Sequence, residues 1–237
     1  MRGEGSRTVV LGIDEAGRGP VIGDMFVAGV AVDPRMLQRL CELGIRDSKE
    51  LTPSARSRLV ITVLKYAEAV IVKRFPPSVI DKTNINVLYA KSVIDLVNNI
   101  SRMGLQIKKI YVDAVTGRKA LAILKGGISR VPFVLEPKAD RKYVVVGAAS
   151  IVAKFLRDLH VSKLKETYGD FGSGYPADPR TIEWLEKHLI DIDSSTVVPS
   201  IIRRSWGTLK RFGITVTKKK QNRRLSRWFK NSKGEAL

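Results

Sequence analysis

Four acidic residues stand where an acid serves solubility poorly. Asp14 and Glu15 follow the apolar run TVVLGI (Thr8 to Ile13), and Asp113 follows IKKIYV (Ile107 to Val112). Asp140 sits just before the long stretch YVVVGAASIVAKFL. Carboxylates gathered at one place repel one another, and at least one then keeps its proton at neutral pH. A divalent cation removes that cost. Mg²⁺ and Mn²⁺ take oxygen ligands and bind through a few carboxylates together with substrate phosphate. Each acid also has a plainer reading. Asp14 and Glu15 can open a turn, Asp113 can close a strand, and Asp140 is well placed as a helix N-cap. A cap and a metal ligand are not exclusive, and spacing alone does not make these four a site.

The overall charge supplies the context for these acids. The 237 residues carry 42 Lys plus Arg against 23 Asp plus Glu, a net charge of +19. The excess is uneven: from Arg203 to the end there are 12 basic residues and one acid, Glu235. Such an excess raises self-repulsion and points to a polyanionic partner. Nucleic acid fits better than a membrane surface, since no basic helix with a strong apolar face stands out. A basic chain with acids at sheet ends therefore points to a metal-dependent nuclease. The single cysteine, Cys41, excludes a disulfide framework and a cysteine-rich zinc site. No apolar run has the length of a membrane span, and Met1 to Arg7 has no apolar leader-like stretch, so the expected compartment is a reducing cytoplasm.

The elements that must position these residues are legible as alternating apolar runs. Thr8 to Ile13 and Met25 to Val32 read as buried strands close enough to pair antiparallel, with the turn-like GRGPVIGD between them. Further strands are expected at Ala69 to Phe75, Ile107 to Val112 and Val131 to Leu135. Helices are expected from Thr52 to about Ala67, from Asn84 to Arg102, from Arg118 to Leu124, from about Arg141 to Tyr168 and from Arg180 to Leu189. Strands first and helix–strand alternation afterwards predict an α/β fold, a mixed sheet with helices on both faces. The chain divides into a main domain, residues 1–205, and a basic C-terminal extension, residues 206–237, with its own short helix near Arg223 to Lys230.

Gly17-Arg18-Gly19 reads on residue types alone as a tight turn whose glycines let the backbone approach a ligand closely. Ser150 and Lys154 share one helical face at i, i+4 and are placed to reach substrate. Lys154 on a buried helix needs a partner, with Asp158 or a phosphate as the expectation. His160 and His188 lie in helical stretches away from the motifs and read as structural.

These segments resemble ribonuclease HII of the archaeal type. The resemblance rests on GIDEAGRGPVIG (Gly12 to Gly23), RDSKELT (Arg46 to Thr52), Lys138-Ala139-Asp140, ASIVAK (Ala149 to Lys154) with Arg157-Asp158, and GSGYP (Gly172 to Pro176) with Asp178-Pro179. It spans about Val9 to Trp206. It implies a ribonuclease H-like fold, a five-stranded mixed sheet flanked by helices. It also implies an endonuclease that hydrolyses the RNA strand of RNA–DNA hybrids and cuts 5′ of ribonucleotides embedded in duplex DNA. Mg²⁺ or Mn²⁺ would be held by Asp14, Glu15, Asp113 and Asp140, and the products would be a 5′-phosphate and a 3′-hydroxyl. In the family the GRG backbone grips the 2′-hydroxyl and a tyrosine of the GSGYP loop assists, here Tyr175. Ser48 and Lys49 would contact backbone phosphates. Asp158 competes with Asp113 for the metal-site role, but its spacing from Lys154 favours a structural pair.

The extension carries two expectations. Its charge should add salt-sensitive duplex affinity. Leu225, Trp228 and Phe229 have the spacing of a sliding-clamp binding box, although Asn222 stands where that box usually has glutamine. The competing reading is an amphipathic terminal helix packed on the domain. The chain is expected to be a monomer. Two other function classes remain open on the residues alone: a non-catalytic nucleic-acid-binding protein and a junction-resolving nuclease on the same fold.

Overall fold

The computed structural model describes residues 7–45, 51–128, 131–192 and 195–212. Its centre is β1 (Thr8–Ala16), a strand whose residues are apolar on both faces up to Ile13. β2 (Met25–Val32) pairs antiparallel with β1, and β3 (Ala67–Phe75) pairs antiparallel with β2. On the other side β4 (Gln106–Asp113) lies parallel to β1, and β5 (Phe133–Glu136) parallel to β4. The sheet order is thus β3-β2-β1-β4-β5, the five-stranded mixed sheet that the sequence predicts.

Strand side chains alternate between faces, so each face feeds a different helical layer. Val9, Leu11 and Ile13 of β1 join Ile110 and Val112 of β4 against α4 (Ile85–Arg102) and α5 (Arg118–Gly127). Val10 of β1 and Ala28, Val30 and Val32 of β2 face the other way. They pack on α1 (Leu37–Glu42), α2 (Pro53–Tyr66) and the first half of α7 (Val144–Tyr168). From Val145 to Ala153 every residue of α7 is buried, as a helix apolar all round requires. Gly12 is what lets α7 lie so close to β1: a Cβ there would come within 2.2 Å of the Val145 carbonyl oxygen.

Four short elements were not legible in the sequence: α1, α3 (Pro77–Ile80), and β6 (Ile190–Ile192) with β7 (Ser195–Val197), which pair antiparallel. The helix expected from Arg141 to Tyr168 is instead two. α6 (Ala139–Lys142) stops at Tyr143, whose φ −118° and ψ 114° are extended. Tyr143 packs its ring 4.5 Å from that of Tyr111 and donates its hydroxyl to Glu136 Oε1 at 3.0 Å. Those contacts hold the residue out of the helix.

A third apolar cluster forms beyond the sheet. Val21 and Ile22, Phe171, Trp184 and Leu185 of α8 (Pro179–His188), Ile201, Ile202 and Leu209 pack together, with Trp206 and Phe212 against them. Packing therefore continues past residue 205, where the division into domain and extension was expected. The terminal helix expected near Arg223 to Lys230 lies outside the described residues. Among the described residues no helix is long and apolar enough to cross a membrane.

Candidate active site

β1 and β4 run parallel in a register that sets Ile13 beside Val112, so Asp14 and Asp113 fall side by side at the carboxyl ends of neighbouring strands. Alternation turns both toward the α7 face. Asp14 is almost wholly buried. Desolvation first, then the charge of Glu15 and that of Asp113, pushes its carboxyl well above the usual carboxylate range. Two hydrogen-bonding influences oppose that rise. The Glu15 amide donates to Asp14 Oδ1 at 2.8 Å, and the buried Ser150 hydroxyl of α7 lies beside the carboxyl, though without the geometry of a hydrogen bond. Asp113 accepts the Ala139 amide at 3.1 Å, which brings the first turn of α6, and with it the buried Asp140, to the end of β4. The N-cap reading of Asp140 is not what forms: Lys138, in a left-handed conformation at φ 58°, precedes α6, and Asp140 lies in its first turn.

Glu15, next along the strand, points to the opposite face. Its Oε1 accepts from Arg18 Nε at 2.7 Å, and Arg18 Nη1 donates to Asn86 Oδ1 at 2.6 Å. Asn86 continues to Thr116 Oγ1 at 3.0 Å, tying the end of β1 to α4 and to the segment after β4. The Arg18 guanidinium also lies 4.8 Å from the centre of the Tyr89 ring. Three buried polar atoms in this corner have no hydrogen-bond partner: Glu15 Oε2, Arg18 Nη2 and the Tyr89 hydroxyl.

A cavity of about 330 Å³ opens beside these groups. Its floor is the segment from Glu15 to Gly19, and its rim is Arg56, Lys154, Arg157, Asp158 and Tyr175. Gly17 needs to be glycine: its φ is +89°, and a Cβ would sit 2.6 Å from the Asp24 carbonyl oxygen. Gly19 lies under Tyr175, whose ring would be 3.2 Å from a Cβ. Arg157 stands 5.0 Å from the centre of that ring and donates to the Ser173 carbonyl at 2.9 Å, fixing the GSGYP loop against the cavity. Asp158 pairs with Arg56 of α2, so its partner is not the Lys154 that helical spacing suggested.

The structure thus brings Asp14, Glu15, Asp113 and Asp140 to one end of the sheet, and Gly17, Arg18, Gly19, Lys154 and Tyr175 to the adjoining cavity. Ser150 faces Asp14 instead of that cavity. Ser48 and Lys49, and Leu225, Trp228 and Phe229, lie outside the described residues. Arg157 and Arg56 were missed. Arg157 is one turn beyond Lys154, a signal the helical period could have given; Arg56 has no such signal. Neither histidine lines the cavity. His160 lies 3.2 Å from buried Asp24, and His188 stacks on Trp184 and bonds its carbonyl.

The donor set at the strand ends is all oxygen, which suits a hard cation such as Mg²⁺ or Mn²⁺. The unpartnered Glu15 Oε2 and the disfavoured charge on Asp14 are what a bound cation would relieve. Among the described residues no three acids or histidines are arranged to hold an ion as they stand.

The family model for ribonuclease HII matches residues 11–209. A ribonuclease HII of Hyperthermus butylicus is 42% identical over 201 residues, covering 85% of this chain and 83% of its own. The crystal structure of the ribonuclease H2 of Pyrococcus horikoshii superposes with a TM-score of 0.75 at 39% identity, covering 86% of this chain and 96% of that one. A ribonuclease HII of Archaeoglobus fulgidus, solved in complex with PCNA, gives 0.71 at 36% identity, covering 84% and 95%.

Proposed function

The chain belongs to the ribonuclease HII family, and on that premise we propose that it is an endonuclease that hydrolyses the RNA strand of RNA–DNA hybrids and cuts duplex DNA 5′ of embedded ribonucleotides. The observation that carries this reading is the joining of two unlike surfaces along one short segment. Asp14 and Glu15 at the end of β1, with Asp113 beside them at the end of β4, lead directly into the Gly17-Arg18-Gly19 loop, which floors a cavity with a basic rim.

Asp14, Glu15, Asp113 and Asp140 are the residues that would hold Mg²⁺ or Mn²⁺. When bound, such ions activate a water for attack on phosphorus and stabilise the departing 3′-oxygen. The chain's own part is positional. Lys154 and Arg157 set positive charge where a phosphodiester must lie, while the Arg56–Asp158 pair fixes α2 against α7. The Arg18 and Gly19 amides are free to donate to a 2′-oxygen, and the Tyr175 ring closes over Gly19 to pack on a sugar or base. No histidine lines the cavity.

The test is a duplex carrying one ribonucleotide, incubated with Mg²⁺ or Mn²⁺ beside an all-DNA duplex. Cleavage 5′ of the ribonucleotide, leaving 5′-phosphate and 3′-hydroxyl ends, is expected. Binding without cutting would favour a non-catalytic nucleic-acid-binding protein, and cutting of both duplexes would favour another nuclease on this fold.

A sliding clamp is the second partner, proposed through Leu225, Trp228 and Phe229. The relative solved in complex with PCNA supports it. Capture on an immobilised clamp should be lost on Trp228→Ala/Phe229→Ala; unchanged capture discards the idea.

A further inference from the structure

Arg203 is fully buried, which is costly for a guanidinium unless its donors are satisfied. Each of its three nitrogens donates to a backbone oxygen of the segment that follows β1. Nε donates to the Gly23 carbonyl at 2.8 Å, Nη1 to Arg18 at 3.1 Å and Nη2 to Gly17 at 2.5 Å. The guanidinium lies 4.8 Å from the centre of the Trp206 ring, and Trp206 Nε1 donates to the Gly19 carbonyl at 2.9 Å. One residue turn near the C-terminal end of the described chain therefore holds four carbonyls of a loop some 185 positions earlier. Neither Arg203 nor Trp206 lines the cavity. Burial, with the nearby Arg157 charge, lowers the Arg203 guanidinium to about 10, so it remains a cation at neutral pH.

A trans peptide points its N–H opposite its C=O, and the described chain has no cis peptide. With the Gly17 and Arg18 carbonyls fixed on Arg203, the amides of Arg18 and Gly19 must point away from it. Neither amide donates to another described residue. We propose that Arg203 and Trp206 are positioning residues for ribonucleotide selectivity: Arg203 fixes the Gly17 and Arg18 carbonyls and so holds the Arg18 and Gly19 amides as preset donors to a 2′-hydroxyl, and Trp206 pins the Gly19 carbonyl that follows them. The inference rests on the reading of that loop given above. It adds that selectivity is set from residues outside the cavity lining.

The experiment measures affinity by fluorescence anisotropy, with EDTA present so that nothing is cut. The probes are a duplex with one ribonucleotide and its all-DNA counterpart, and the readout is the ratio of the two affinities. Arg203→Lys keeps the charge but cannot serve three carbonyls with one fork. Trp206→Phe keeps a ring in place and removes only the Nε1 donor, so it carries the test if Arg203→Lys fails to fold; thermal melts of both identify folded protein. Both variants should lower the ratio about three- to tenfold, the worth of one or two hydrogen bonds, with all-DNA affinity unchanged. Gly19→Ala, which pushes on the Tyr175 ring, should also lower it. If Gly19→Ala abolishes the preference while both other variants keep it, the inference is wrong and the reading of the loop stands. A parallel loss on both duplexes means a merely structural role and overturns the inference. A wild-type protein with no preference overturns the inference and the loop reading together.

Discussion

The GRG loop and the carboxylate end of β1 are neighbours in sequence and opposites in construction. In the loop, the carbonyls of Gly17, Arg18, Gly19 and Gly23 are all occupied, by Arg203 and Trp206. At the strand end, Glu15 Oε2, Ser150 Oγ and the Tyr89 hydroxyl are buried without a partner, and Asp14 is held where its charge is disfavoured. A neutral hydroxyl is recognised by donors already in place, so preorganisation costs little. A cation is recognised by carboxylate charge that is disfavoured without it, so binding relieves that cost. One segment of chain thus passes from a finished surface to an unfinished one within a few residues.

The contrast breaks most visibly at Asp14. Asp14→Asn should reduce cleavage by about a hundred- to a thousandfold, a loss typical of removing a group that stabilises transition-state charge. The same change should raise the melting temperature of the metal-free protein, because it removes a buried, repelled carboxylate. Calorimetry in EDTA checks this; a lower melting temperature would mean the strand end is not under electrostatic stress.

On the loop side, Gly17→Ala forces a side chain into φ +89° and against the Asp24 carbonyl. It should destabilise the protein by about 1–3 kcal/mol and erase ribonucleotide preference, read by chemical denaturation and by the paired-duplex anisotropy assay.

A smaller effect appears in pH dependence. The Asp14 carboxyl is raised in the folded protein, so above the ordinary carboxylate range the unfolded chain gives up that proton first. Metal-free stability should therefore fall as pH rises toward the raised value, and Mg²⁺ or Mn²⁺ should flatten the slope. Melting curves across that range, with and without the ion, measure both.

The smallest effect is on the other wall of the cavity. Asp178 caps α8 and accepts the Ser173 amide at 2.7 Å, and these amide donors lower its carboxyl to about 2. A lowered carboxyl contributes stability that is full above its unfolded value and lost as pH falls through about 2. Near-ultraviolet dichroism of the Tyr175 loop should hold steady at mildly acidic pH and change only in that acid range.

Much of this was legible in the chain. The apolar runs ending in Asp14 and Asp113 fixed two strands and their acids, because alternation and termination are local properties. The motif residues Gly17, Gly19 and Tyr175 could be placed in one site from resemblance, and the fold brings them together. The break at Tyr143 was not legible: a run apolar all round gives no sign of where a helix must yield to an aromatic contact on another strand. Nor was the Arg56–Asp158 pair, which joins helices far apart in sequence and displaced the expected Lys154–Asp158 pair.

The sequence by itself determined the family, the mixed sheet and which acids stand at its strand ends, since each is written in residue type and short-range period. Only the tertiary structure decided what holds the GRG loop. The acceptors there are backbone carbonyls, which every residue owns and no side-chain pattern announces, and the donors that meet them arrive from Arg203 and Trp206 at the far end of the chain.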